Sequence, residues 1–213
     1  MTKANIVDQI LTLLPREDKV SRYHPMVVEA ACEKVIIEMY NDIWKANPRL
    51  LDKYCKRYGA TTPITIVQEA GTNIYYSTLP VRICTVPDKA SGVRHIYPRA
   101  YTGNQFVPMD ATDADFVFNT DVAIVSSKIG YMPRQDTRVD YWNTNAVVRS
   151  AGVLLDLLVP FMQYADTDEV TIPELTEADG VKTFFERVLN VLGVIPPVDL
   201  KDDNKNAQTN TKQ

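Results

Sequence analysis

Residues 71–98, G-T-N-I-Y-Y-S-T-L-P-V-R-I-C-T-V-P-D-K-A-S-G-V-R-H-I-Y-P, constrain this chain more than any other stretch. Ile74, Tyr75 and Tyr76 form a short run of strand formers. Val81, Ile83 and Thr85 alternate with Arg82, Cys84 and Val86, and Val93 and Ile96 resume the pattern. β-Branched and aromatic side chains at period two suit a pleated, half-buried surface. Residues 87–92, P-D-K-A-S-G, carry turn chemistry. Pro87 fixes φ and lacks an N–H, and Gly92 accepts positive φ without steric penalty. The expectation is an antiparallel β-meander lying between helices, and nothing in it has the makings of an active site.

The flanks read as helix. Ile6, Val7, Ile10, Leu11, Leu13 and Leu14 make a short amphipathic helix that Pro15 ends. His24 and Pro25 open a second, with His24 a cap or surface residue and Val28, Cys32, Val35, Met39 and Ile43 at helical spacing to about Ala46. Leu50, Leu51, Tyr54, Cys55 and Tyr58 predict a third, with Gly59 as its C-cap. Further strands are expected at 64–67, 122–125, 129–131, 138–142 and, against a helical alternative, within 153–164. The loop 99–121 is long for a compact domain, and such loops are usually functional. A last helix over 176–192 presents Val181, Phe184, Phe185, Val188, Leu189 and Leu192 on one face. The fold class expected is therefore α+β. Residues 1–58 form a helical segment and 59–163 a β-rich, meander- or sandwich-like module with long loops. Residues 164–197 supply a turn and a helix packed on the N-terminal helices, and 198–213 a polar, disordered tail.

The 213 residues are enough for one large domain, and a 45% hydrophobic, 23% charged composition supports an ordinary core. A net charge of −4 argues against wholesale nucleic-acid binding, which shows a basic footprint. Cys32, Cys55 and Cys84 match no zinc or redox spacing and read as small buried apolar residues of a reduced, intracellular chain. No signal-peptide region or membrane-spanning run is read.

No catalytic, cofactor-binding or metal-binding set emerges, and no cofactor is expected. His24 and His95 belong to no nucleophile–base arrangement. Asp110, Asp113 and Asp115 lack the alternation, glycine and distal glutamate of a calcium loop and read as solvated carboxylates, with a divalent ion the alternative. The rich class is aromatic. With Arg134 and Arg138, residues 131–143 have the composition of an exposed contact segment, because tyrosine, tryptophan and arginine are enriched at interface centres. Arg134, Arg138, Tyr141, Trp142, Phe106 and Phe116 are the subunit-contact candidates.

Three stretches together resemble a known group: S-R-Y-H-P-M-V-V-E-A-A-C-E-K-V at 21–35, the Y-Y-S-T-L-P…V-P-D-K-A-S-G-V-R-H-I-Y-P stretch at 75–98, and Y-A-D-T-D-E-V-T-I-P-E at 164–174. The set is similar to small virion proteins of tailed phages of Bacteroidetes, especially the ring proteins of crAss-like podoviruses, which sit between portal and tail like head–tail adaptors. The resemblance carries no catalytic residues across. It implies a non-enzymatic virion protein, made in the host cytoplasm and placed in the neck. It further implies a homo-oligomeric ring, twelve-fold to match a dodecameric portal, around DNA that passes without sequence-specific binding. Portal and neighbouring ring or tail proteins would be its partners, and no membrane is involved. Two alternatives stay open: a virion-associated hydrolase or nuclease working through Asp110, Asp113 and Asp115, and a monomeric binding module.

Overall fold

The computed structural model describes residues 1–14, 23–72, 74–100, 106–110, 112–113, 128–135, 137–174 and 180–194. Helix α1 (Lys3–Leu13) starts at Thr2, whose hydroxyl accepts from Asn5 N, and buries Ile6, Val7 and Ile10. Its first N–H groups find partners in a distant loop: Lys3 N donates to Asp168 O at 3.0 Å and Ala4 N to Asp166 O at 3.1 Å. Orphan donors at a helix start need such acceptors. Helix α2 (Pro25–Ala46) buries Val28, Ala31, Cys32, Val35, Ile36, Met39, Tyr40 and Ile43, the face its spacing predicts. His24 caps it, Nδ1 accepting from Met26 N.

The third helix is shorter and tighter than expected. A 3-10 segment covers Pro48–Tyr54, and the chain then straightens into strand β1 (Lys56–Tyr58). Tyr58 therefore lies in a sheet, and Gly59 is a turn residue after a strand, not a helix cap. A Cβ at Gly59 would stand 2.5 Å from the Val153 carbonyl oxygen, and its φ is +92°. Only glycine meets both conditions without strain.

Among the described residues, eight strands form two sheets. One has the order β1–β8–β4, with β4 at Val93–Pro98 and β8 at Val153–Leu157. The other has the order β2–β3–β7–β6–β5, from β2 (Val67–Gln68), β3 (Tyr75–Thr78), β5 (Val107–Pro108), β6 (Gly130–Arg134) and β7 (Arg138–Trp142). Pairing is antiparallel except between β5 and β6. The α+β class is observed, with helices at the start and end of the described chain.

The strands within 71–98 do not pair with one another as a meander would. β3 joins the five-stranded sheet and β4 the three-stranded one. The run 81–86 between them is no ladder strand, although Ile83, Cys84 and Val86 are buried. Pro80 and Pro87 flank the run, and Cys84 N donates to Leu158 O at 2.8 Å. Proline has no donor to offer a ladder. The turn also divides its labour differently: Ser91 takes the positive φ, +46°, while a Cβ at Gly92 would come within 2.4 Å of the Cys84 carbonyl oxygen. Gly92 is there for close approach.

Of the other expected strands, 129–131 and 138–142 fall in β6 and β7. The 64–67 strand shrinks to a single Ile64–Val153 bridge and the two residues of β2. In 153–164, β8 is followed by a one-turn 3-10 segment at Phe161–Gln163. A short helix α3 (Ala146–Ala151) precedes β8. Helix α4 (Gly180–Val191) is the described part of the last predicted helix, with Phe184 and Val188 buried and Val181 exposed. The expected strand at 122–125 and the tail at 198–213 lie outside the described residues. One hydrophobic cluster runs through α1, α2, both sheets and α4.

Candidate assembly surface

The expected contact segment is the β6–β7 hairpin. Alternation along β3, β7 and β6 puts Tyr75, Ser77, Tyr141, Val139 and Tyr131 on one face, with Tyr141 directly opposite both Tyr75 and Tyr131. That face points into the core. Tyr141 is fully buried, and its hydroxyl pairs with the buried Ser77 hydroxyl at 2.8 Å. Burial pushes the Tyr141 phenol well above its usual range. Phe106 meets the Tyr141 ring edge-on at 5.8 Å and is buried too, as is Trp142. Tyr141 and Phe106 thus pack in the subunit's own core, while Trp142, on the other face of β7, is 6% exposed. Aromatic composition marks interfaces and cores alike, and only the register separates them. Phe116 lies outside the described residues.

Arg134 and Arg138 remain at the surface, on the opposite face. They sit directly across from one another in the β6–β7 register. Like charges so placed repel, and Asp140 answers both. Its carboxylate accepts from Arg134 Nε at 2.8 Å and from Arg138 Nε at 2.5 Å, and Asp140 is only 1% exposed. Arg138 also reaches Glu69 with both terminal nitrogens, at 3.0 and 3.1 Å, and lies 4.2 Å from the centre of the Tyr76 ring. These hydrogen bonds hold the Glu69 carboxyl below the usual carboxylate range and raise the Arg138 guanidinium. Sequence reading missed Asp140 and Glu69. The Arg-x-Asp spacing at 138–140 was the available signal, because residues two apart share a strand face.

A concave surface of about 480 Å³ lies at this cluster, lined by Glu69, Arg134, Arg138 and Asp140, and two others lie elsewhere. One, about 640 Å³, opens where the outer strands β1 and β2 of the two sheets face each other, and Lys56, Tyr58, Thr61, Val67, Tyr76 and Pro80 line it. The other, about 600 Å³, lies between α1 and α4. Leu13, Phe185 and Leu189 make its apolar floor and Asp8, Lys182 and Glu186 its charged rim. Leu13 stands 55% exposed there.

No family model matches the chain, and no curated protein matches it.

The remaining candidates have structural partners. Asp110 and Asp113 share the Lys89 ammonium at 2.9 and 2.6 Å, and each accepts a backbone N–H from the other's residue. Asp115 lies outside the described residues. Among the described residues no group of three or more His, Cys, Asp or Glu is placed to hold a metal ion. His95 Nε2 lies 3.1 Å from Asp52, which also binds the Arg94 guanidinium. Cys55 lies nearby, but desolvation, reinforced by Asp52 and Asp156, pushes its thiol up to about 12. A thiol held protonated is a poor nucleophile. Burial likewise raises Cys32, to about 12, and Cys84. Among the described residues no helix is long and apolar enough to cross a membrane.

Proposed function

We propose that this chain is a structural subunit of a ring in the head-to-tail connector of a tailed phage. In this reading it packs against copies of itself between portal and tail, around a DNA channel. The sequence resemblance suggests the role, and one structural observation carries it. Among its concave surfaces are two built from separate elements: a groove of mixed polar and apolar lining between β1 and β2 and a more strongly apolar one between α1 and α4. A head-to-tail ring needs two unlike patches on each subunit, whereas a two-fold dimer reuses one.

The net charge of −4 and the engagement of seven of the 23 Lys and Arg side chains favour DNA sliding past without being gripped. Lys56, Arg57, Lys89, Arg94, Arg134, Arg138 and Arg187 each hold a carboxylate of the same chain at 3.1 Å or less. Phosphate binding draws on cations free to replace counterions, and these are already engaged.

The test is electron microscopy and native mass measurement of the chain alone and mixed with a portal. Rings of this chain, free or on the portal, are expected, and a chain that stays monomeric beside the portal overturns the reading. Leu13→Asp is expected to abolish ring formation while lowering stability by no more than about 1 kcal/mol, the cost of an acid in the last turn of α1. Rings that form undiminished with this variant remove the α1–α4 groove from the interface.

A further inference from the structure

We draw no further inference here: the strongest candidate, the apolar groove between α1 and α4 floored by Leu13, Phe185 and Leu189, belongs to the assembly surface already described, and nothing among the described residues shows what covers it.

Discussion

The two sheets solve the same problem with different margins. Each carries an aspartate on the outward face of its middle strand, Asp156 on β8 and Asp140 on β7, and each answers it with arginine from a neighbouring position. Asp156 takes one partner: Arg57, its cross-strand neighbour, binds both carboxylate oxygens at 2.7 and 2.8 Å. The Arg57 side chain is 56% exposed, so water can solvate it whatever happens to Asp156. Asp140 takes two arginines that oppose each other across the hairpin, and one of them is tied to Glu69 as well. The first arrangement is a surface clamp over a buried acid. The second is a hub, in which one carboxylate neutralises a repulsion that the strand register itself creates.

The largest effect should come from removing the hub. Asp140→Ala leaves Arg134 and Arg138 facing each other with no carboxylate between them. Arg134 is 54% exposed and Arg138 keeps Glu69, so what is lost is two charge-assisted hydrogen bonds to a buried acid, about 2–3 kcal/mol. Urea unfolding monitored by tryptophan fluorescence would read it. A loss no greater than that of Asp156→Ala would show that the hub is no more than a second clamp.

The hub also shows where sequence reading stops. Helix faces were legible, because helical periodicity is local: the buried residues of α2 are those its spacing marks. Strands β6 and β7 were legible for the same reason. What failed depended on partners distant in the chain. Whether Tyr141 faces a neighbouring subunit or its own core depends on Tyr75, 66 positions earlier, lying opposite it. Residues 81–86 alternate like a strand, yet among the described residues no strand pairs with them, and the two runs they separate belong to different sheets. Glu69 comes to Arg138 only because the turn between β2 and β3 returns the chain beside β7. The α1–α4 groove joins the first described helix to the last, a pairing that no local pattern records.

A second prediction moves to the buried face of the same sheet. Tyr141→Phe keeps the ring and its packing on Phe106 but strands the Ser77 hydroxyl, which is fully buried. A buried polar group left without a partner costs about 1–3 kcal/mol, whereas removing both members is close to neutral. The double variant Ser77→Ala/Tyr141→Phe should therefore regain most of the loss in a double-mutant cycle. Additive losses would show that the hydroxyl pair does not act as a unit.

Asp156→Ala should do less. The bond it removes is bidentate and charge-assisted, but the arginine it releases is already more than half in water. Discounted for that exposure, the cost is about 1–2 kcal/mol. Raising salt should narrow the gap between this variant and the parent more than it narrows the gap for Asp140→Ala, since exposed pairs are screened and buried ones much less so. Equal salt responses in the two variants would erase the distinction between clamp and hub.

The smallest effect is the acid response, which compares outlying carboxylates of the two sheets. Glu69 is held below the usual carboxylate range chiefly by the Arg138 hydrogen bonds. Asp168 is held down chiefly by the Lys56 ammonium, then by the Ala165 N–H. A carboxylate whose pKa is lower folded than unfolded releases its proton more readily in the native state. Its contribution is therefore complete above the unfolded value, about 4.3 for Glu and 3.9 for Asp, and disappears as pH falls through the folded value. These groups should leave stability flat between pH 7 and about 5 and lower it slightly below about 4. The stability difference between the parent and Glu69→Gln, or between the parent and Lys56→Met, should shrink as pH is lowered from 5. A difference that instead grows with acid would mean that the folded carboxyl binds its proton more tightly than the unfolded one. That would reverse the part assigned to the Arg138 and Lys56 partners at the margins of the two sheets.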